Sequence, residues 1–291
     1  MWRRLKTEVA ETLRKTRGDF QGLVLRRYPE WLFTGDVRSL EGQVTVFVFH
    51  EVEPVWFEQQ LAYLESNRYH VLKDADTLYR CLRGEQPIPP RAVLLTFDDA
   101  GATLHTTAFP LLRRYGMQGV SFVVPTFLDR PRFCTWNQLE EMHRSGVIDV
   151  QSHTLCHRSA PKWPHAVRCL GTTTDTEEEA CRYPTMLEDY RRARELIEAR
   201  LGTPVRHLCY PDYDGTDDSV TASKATGYVT NFWGVLPSRR TNRPGDDPFR
   251  IIRISSEYLG CLPGKGRQVP WRVALQQARY HGRRKLQRLV G

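Results

Sequence analysis

Residues 92–99 of this 291-residue chain read Ala-Val-Leu-Leu-Thr-Phe-Asp-Asp, an apolar run that ends in two adjacent carboxylates. A short run of this composition is typical of a strand that is buried on both faces. Neighbouring side chains on an extended chain point in different directions, so Asp98 and Asp99 can serve two separate roles. One could bind a cation while the other accepts a proton, although such pairs are also common in turns and helix caps.

Similar short runs lie on both sides of this strand and alternate with longer amphipathic segments. We predict strands at Val44–Phe49, Ala92–Phe97, Val120–Val124, Ile148–Ser152, Val205–Tyr210, Tyr228–Phe232 and Ile251–Ile254. We predict helices at about 55–67, 74–83, 105–115, 136–145, 185–201 and 217–226. The alternation indicates a parallel α/β sheet covered by helices, either open or closed into a barrel, with active groups at the carboxyl ends of the strands.

Positive charge is concentrated at the two ends of the chain. The first 41 residues carry nine of the 42 basic and six of the 34 acidic side chains, and the last 30 carry eight basic and no acidic ones. Residues 42–261 therefore have a net charge of −3, and we expect no nucleic-acid partner, because such proteins usually carry positive charge on the domain face that binds phosphate. Segments 2–17 and 271–290 are predicted to be basic helices that lie on an anionic membrane surface or pack along the main domain.

The N-terminal residues lack the apolar stretch of a secretory signal, and no segment is long and apolar enough to span a membrane. The sequence therefore predicts a cytoplasmic protein, with peripheral attachment to the inner membrane face as an option.

The seven cysteines form no Cys-x-x-Cys pair, so we expect reduced and mostly buried thiols. Segment 158–184 breaks the alternation and is predicted to be a long loop or insertion beside the candidate site.

Two further strand ends carry residues that suit metal-dependent hydrolysis. Strand Ile148–Ser152 is followed by His153 and His157, which converge on one ion if the chain curls by one turn after the strand. Residues 210–215, Tyr-Pro-Asp-Tyr-Asp-Gly, form a tight turn that could present a backbone N–H to a developing oxyanion. Each pattern alone is more often structural, but the three together, each after a predicted strand, are much more specific.

In combination, these patterns resemble the polysaccharide deacetylase family, the NodB-homology domain of carbohydrate esterase family 4. The matching residues are Leu95-Thr96-Phe97-Asp98-Asp99, His153-Thr154-x-x-His157, and Tyr210-Pro211 with Gly215. The segment Val46–Val52 is similar to the family's opening Tyr-His-x-Val strand, and Arg250–Ile254 is similar to its closing strand. The resemblance covers residues 42–256.

The resemblance implies a distorted (β/α)7 barrel with one divalent metal, most commonly Zn²⁺, with Co²⁺, Ni²⁺ or Mn²⁺ as other choices. The domains would be a basic N-terminal extension at 1–41, the barrel at 42–261 and a basic helical tail at 262–291. Asp99, His153 and His157 would hold the metal. Asp98 would be the general base for a metal-activated water that attacks the N-acetyl carbonyl of a sugar. A backbone N–H near Tyr213 would help to hold the oxyanion.

The chain departs from the family pattern at several positions. Ala100 stands where glycine is usual, and Arg158 stands where proline is common. Residues 250–262 contain no histidine, so the family's C-terminal general acid is missing. His50, in the opening strand, is the candidate general acid; a histidine with a purely structural role at a strand end is the alternative. We expect Arg253 either to pair with Asp98 and keep it ionised or to form an ordinary edge salt bridge.

Three aromatic residues are candidates for substrate binding, because an aromatic face suits the apolar face of a pyranose: Tyr210, Trp136 and Trp233. Trp136 suits the core equally well. The expected function is removal of N-acetyl groups from amino sugars of a polysaccharide or glycoconjugate precursor. Two other functions stay open: hydrolysis of another amide, such as an N-formyl sugar or a cyclic imide, at the same metal site, and non-catalytic carbohydrate binding on the same fold.

Overall fold

The computed structural model describes residues 22–163 and 185–278. Within these ranges nine strands form one sheet, and every pair of neighbouring strands is parallel. The strands are β1 Thr45–Phe49, β2 His70–Val71, β3 Ala92–Asp98, β4 Gly119–Val123, β5 Ile148–Ser152, β6 His207–Cys209, β7 Thr230–Trp233, β8 Ile251–Ile252 and β9 Ile254–Ser255. All seven predicted segments contain strand, but the prediction of one strand at Ile251–Ile254 is wrong, because the chain divides there at Arg253 into β8 and β9. The two-residue β2 was not predicted.

The order of the strands closes the sheet almost completely. It runs β8-β7-β6-β5-β4-β3-β1-β9, with β2 paired to the beginning of β3. Strands β8 and β9 lie at opposite ends of this path, although Arg253 alone separates them in the sequence. The sheet therefore curls into a nearly closed barrel with Arg253 at the seam, which confirms the predicted distorted barrel over an open sheet.

Helices surround the barrel. They are α1 Glu30–Thr34, α2 Pro54–Ser66, α3 Ala75–Leu82, α4 Phe109–Arg114, α5 Trp136–Arg144, α6 Met186–Leu201 and α7 Asp217–Ala225, with a π-helical turn at Leu104–Ala108 and further helix at 270–278. Local signals set several boundaries: Thr135 and Thr216 form capping boxes, and Gly202 ends α6 at a φ of 68°. These signals explain why the predicted helices agree with the observed ones.

The strand sequences are explained by burial on both faces. All residues of β1, β3 and β4 are buried, because helices cover the outer face and side chains fill the interior. One apolar cluster inside the barrel includes Leu94 and Ile251. Asp98 follows Leu94 by four residues, and Arg253 follows Ile251 by two. Because every second side chain of an extended chain points to the same face, Asp98 and Arg253 also point into the barrel. The interior thus changes from apolar to charged towards the carboxyl ends of the strands.

Both predicted extensions contribute to the hydrophobic core. Trp31 of α1 is fully buried, and its ring centroid lies 6.3 Å from that of Phe47 in β1. Leu262 and Val273, from the C-terminal side, belong to the same buried cluster. The predicted helix at 2–17 and most of the one at 271–290 lie outside the described residues, as does segment 164–184 of the predicted insertion. The proposed domain boundaries stay predictions.

Candidate active site

Because all strands are parallel, their carboxyl ends meet at one end of the barrel. The structure brings seven of the predicted site residues to this end from the loops and strands of β1, β3, β5, β6 and the seam. They are His50, Asp98, Asp99, His153, His157, Tyr213 and Arg253. No short stretch of sequence contains them all, so only barrel closure assembles the site.

The innermost feature of the site is a buried ion pair. Arg253 donates from Nη1 to Asp98 Oδ1 at 2.6 Å and from Nη2 to Oδ2 at 2.9 Å, and both residues are almost completely buried. Burial alone would raise the pKa of Asp98, but the charge of Arg253 outweighs it, and the pKa falls to about 2. Asp98 is therefore a carboxylate at every physiological pH.

Three side chains above this pair form a candidate metal centre. His153 Nε2 lies 3.6 Å and His157 Nε2 3.3 Å from Asp99 Oδ1, and the three ligand atoms all lie within 4.8 Å of one another. Asp99 Oδ1 is buried and has no hydrogen-bond partner among the described residues. A buried carboxylate oxygen without a partner is costly, and a bound cation would supply the missing interaction.

The protonation state of His153 suits a metal ligand. Its Nδ1 lies 2.9 Å from the carbonyl oxygen of Cys209, so the proton of a neutral ring resides on Nδ1 and donates to that oxygen. Burial lowers the pKa of His153 to about 4, against the opposing charges of Asp98 and Asp99. The neutral ring thus presents the lone pair of Nε2 towards Asp99, an arrangement common among metal-binding histidines.

The chain curls after β5, as the spacing of the two histidines predicts. Thr154 and His157 adopt positive φ angles of 68° and 53°, and the backbone N–H of His157 donates to Thr154 Oγ1 at 3.1 Å. The ring centroids of His153 and His157 are consequently 5.0 Å apart.

The carboxylate of Asp189 accepts the N–H groups of Leu155 and Cys156 in the middle of this curl. An acidic residue in the first turn of a helix is ordinary, so nothing in the sequence pointed to Asp189.

A second group of ligand atoms, from Asp98, His153 and Cys209, also lies within 4.8 Å. It is the poorer metal site, because both oxygens of Asp98 already accept hydrogen bonds from Arg253. Burial also raises the pKa of the Cys209 thiol well above its ordinary value, and a thiol binds metal as the thiolate. One carboxylate and two imidazoles, as in the first group, fit Zn²⁺ and related divalent metals.

The loop after β1 and the loop after β6 meet at the same opening. His50 is exposed, and its Nε2 lies 3.3 Å from the hydroxyl of Tyr213. Among smaller influences, the charge of His50 also lowers the pKa of Asp98. Burial raises the pKa of Tyr213 well above its ordinary value, so its hydroxyl stays protonated. Asp212 and Tyr213 both have left-handed backbone conformations, with φ angles of 57° and 64°, which turn the chain over the end of the barrel.

The departure at position 100 has a conformational explanation. Ala100 is fully buried and has a φ of 55°, a region that glycine adopts freely and other residues adopt at a cost of about 1–2 kcal/mol. The backbone is held there, since Cys134 N–H donates to Ala100 O and Ala102 N–H donates to Arg132 O, both at 2.8 Å. Alanine therefore occupies the conformation for which glycine is usual in the family pattern.

Two of the three aromatic residues predicted to bind substrate are buried, and the role of the third, Trp136, stays a prediction. Tyr210 is fully buried, and Trp233 is 3% exposed and donates from Nε1 to the carbonyl of Phe249. The ring of Trp136 is partly covered by the guanidinium of Arg200, 5.3 Å from its centroid. Sugar stacking on Tyr210 and Trp233 is excluded here because the barrel core covers both rings.

Two phenylalanines that the sequence did not single out lie next to the candidate metal centre instead. The ring of Phe127 is centred 5.5 Å from that of His157 and 4.8 Å from that of Phe133. Both phenylalanines are partly exposed. Isolated aromatic residues in loops carry no sequence signal for function, so only the fold reveals this pair.

The prediction of reduced thiols holds for part of the chain. Within residues 22–163 and 185–278, four cysteines are free and buried: Cys81, Cys134, Cys209 and Cys261. Cys156, between the two histidines, is disulfide-bonded, so the prediction is wrong at this position. The spacing of cysteines along the chain gave no indication of this bond, because a disulfide depends on proximity in space.

Several solved structures have a fold similar to this one, and some of them are named as deacetylases. IcaB from Ammonifex degensii superposes with a TM-score of 0.62 at 24% identity, covering 78% of this chain and 98% of that one. The Streptococcus pyogenes deacetylase PplD has the same TM-score at 17% identity, with coverages of 81% and 98%. At these identities the similarity establishes the fold.

Curated relatives are named poly-β-1,6-N-acetyl-D-glucosamine N-deacetylases. The Escherichia coli (strain K12) protein is 31% identical over 121 residues, which is 36% of this chain and 18% of that protein. The Staphylococcus epidermidis (strain ATCC 35984) protein is 24% identical over 203 residues, or 68% of this chain and 65% of that protein. The match to this chain therefore spans less than two thirds of either relative.

A family model matches the part of the chain that carries most of the candidate site. Residues 85–230, half of the chain, match the model described as polysaccharide deacetylase. This range includes the two aspartates at the end of β3, the two histidines after β5 and the turn after β6. On the match and the barrel together, the chain belongs to the polysaccharide deacetylase family.

Proposed function

We propose that the protein is a metal-dependent hydrolase that removes N-acetyl groups from amino sugars of a polysaccharide or glycoconjugate. One observation carries the proposal: a carboxylate kept ionised by Arg253 lies beside an Asp-His-His group with a buried, unpartnered oxygen. The names of the curated relatives support N-acetylglucosamine polymers linked β-1,6 as the first substrates to test.

The residues present divide the chemistry among them. Asp99, His153 and His157 would hold the metal, which when bound supplies a Lewis acid for the carbonyl and for water. Asp98 accepts the proton of the attacking water, and Arg253 keeps it free to do so by holding its pKa low. The backbone N–H groups of the left-handed turn at Asp212 and Tyr213 are the candidates for oxyanion donors.

His50 is the proposed general acid. It is exposed at the opening and lies within reach of the Tyr213 hydroxyl, 3.3 Å from its Nε2, which would fix the orientation of the imidazole. A sugar amine is a poor leaving group unless its nitrogen is protonated, so a positioned acid is required for amide cleavage.

Replacing His50 should therefore affect amides more than activated esters. In His50→Gln we expect acetate release from an N-acetylated glucosamine oligomer to fall by about 10²–10⁴-fold, while hydrolysis of an aryl acetate, whose leaving group needs no proton, falls much less. Tyr213→Phe keeps the ring but removes the hydroxyl that would orient His50, so it should lower amide cleavage by a smaller factor than His50→Gln and change ester cleavage only slightly. Equal losses on amide and ester in His50→Gln would show that His50 has another role.

The proposed function as a whole is tested on the wild-type protein by metal analysis and product release. We expect one divalent metal per chain, with Zn²⁺ the first choice among Zn²⁺, Co²⁺, Ni²⁺ and Mn²⁺, and metal-dependent release of acetate from N-acetylglucosamine polymers. Bound metal without acetate release would favour another amide, such as an N-formyl sugar or a cyclic imide. A protein that binds glycan but no metal, even after reloading, would be a carbohydrate-binding protein.

Two observations bear on the predicted location of the protein. Among residues 22–163 and 185–278, no helix has the length and apolar character needed to cross a bilayer. The cytoplasmic location and the attachment of the basic ends to an anionic membrane stay predictions. The disulfide at Cys156 favours an oxidising compartment instead, since disulfides rarely persist in the cytosol.

A further inference from the structure

Asp189 is a buried acid that the proposed mechanism does not use. It lies in the first turn of α6 and is 0% exposed. One carboxylate oxygen accepts the backbone N–H of Leu155 and the other accepts that of Cys156, both at 3.1 Å. The two N–H groups belong to the consecutive residues in the middle of the curl between His153 and His157.

Burying the Asp189 carboxylate costs free energy, so we expect it to have a role in the fold or in the site. Burial raises the pKa of Asp189, and the charge of Arg158 opposes this only as the smallest influence. Among the described residues, the Asp189 carboxylate accepts hydrogen bonds only from these two backbone N–H groups. These two hydrogen bonds therefore act on one segment, residues 154–157.

That segment has two other supports, since the Thr126 hydroxyl donates to the Leu155 carbonyl at 2.7 Å and Cys156 is disulfide-bonded. Its backbone is left-handed at Thr154 and again at His157, a conformation unfavourable for non-glycine residues. Within the segment, the Thr154 hydroxyl accepts one N–H, that of His157. Asp189 thus holds the curl from outside, where helix α6 is packed on the barrel, and the curl decides whether both imidazoles face Asp99.

We infer that Asp189 is a positioning residue for the metal centre: it fixes the 154–157 curl so that His153 and His157 face the same point. The inference rests on the proposed metal site. Residues that orient ligands through a second set of hydrogen bonds typically change metal affinity by about 10–100-fold when they are replaced. Asp189 touches neither metal ligand, so its effect passes through the backbone of Leu155 and Cys156.

The dissociation constant for Zn²⁺, measured by competition with a chelator, tests the inference directly. We expect it to rise about 10–100-fold in Asp189→Ala. Asp189→Asn keeps one acceptor oxygen but turns an amide NH₂ towards the second N–H, so a smaller rise is expected. Glu198→Gln is the matched control: Glu198 lies on the same helix and accepts the N–H of Val205, far along the chain from the ligands, and its replacement should leave the constant unchanged.

A second measurement separates positioning from general stability. Thermal unfolding with and without Zn²⁺ gives the stabilisation due to metal, which depends on the dissociation constant. A merely structural role would lower the melting temperature of the metal-free protein and leave the metal-induced increase intact. If Asp189 positions the metal ligands, the increase in melting temperature caused by Zn²⁺ should be smaller in Asp189→Asn than in wild type. This milder variant also provides the test if Asp189→Ala does not fold.

The outcomes distinguish this inference from the proposed function. If wild type binds Zn²⁺ and both Asp189 variants bind it within about twofold of wild type, against the larger change expected for a ligand-orienting residue, the inference is wrong and the metal site stands. If wild type binds no divalent metal, both are overturned. Backbone amide exchange at Leu155 and Cys156 in the metal-free protein should be faster in Asp189→Ala, and unchanged exchange would also overturn the inference.

Discussion

Asp98→Asn is expected to abolish acetate release while the bound metal is retained. The substitution keeps the size of the side chain but removes the proton acceptor, and loss of a general base typically lowers the rate by about 10²–10⁴-fold. Asp98 is not in the proposed ligand group, and its two oxygens bind Arg253. Acetate release and metal content, measured on the same preparation, are the readouts.

His153→Ala provides the contrasting result, because it should lose both the metal and the activity. The matched control is His105→Ala, since His105 pairs with Glu141 at 2.8 Å on a helix surface and its loss should leave both properties intact. Loss of metal in Asp98→Asn together with retention in Asp99→Asn would contradict the assignment. It would point to the alternative group of Asp98, His153 and Cys209.

Arg253→Met is expected to destabilise the metal-free protein by about 3–5 kcal/mol at neutral pH, because it leaves the Asp98 carboxylate buried without its partner. The guanidinium also donates to the Thr96 hydroxyl and the Trp233 carbonyl, each at 3.3 Å, so the seam of the barrel loses further bonds. Methionine fills much of the same volume. Urea unfolding of wild type and variant, with chelator present, measures the difference.

The destabilisation should depend on pH in a defined direction. In wild type the pKa of Asp98 is lowered to about 2, so its stabilising contribution is present above its unfolded pKa and is lost as the pH falls towards 2. Without Arg253, burial raises the pKa, and stability is lost as the pH rises above about 4. The difference between the two proteins should therefore shrink from pH 7 to about pH 4.

A surface arginine in the same segment gives the control for this experiment. Arg250 pairs with Asp217, which is 91% exposed, so Arg250→Met should cost at most about 1 kcal/mol. Adding Asp98→Asn to Arg253→Met removes the unpaired charge and should recover part of the lost stability. A destabilisation of Arg253→Met that stays the same from pH 7 to pH 4 would show that the seam contacts, and not the ion pair, dominate.

The local elements of the fold were predictable because their signals are local. Apolar runs such as Ala92–Phe97 marked buried strands, and the period of apolar residues with Gly202 at its end marked helix α6. The short strand β2 was not predicted, since two residues carry no pattern. The aspartate and histidine motifs were predictable for the same reason: each lies directly after a strand, and parallel strands bring their carboxyl ends together.

By itself, the sequence determined the order of strands and helices, the metal-ligand candidates and the family. The tertiary structure alone decided that Arg253 closes the barrel and holds both oxygens of Asp98. It alone showed that Tyr210 and Trp233 are buried and that Asp189 supports the 154–157 curl. The physical reason is that burial and pairing depend on which distant segments the closed barrel brings into contact, and these contacts leave no periodic trace along the chain.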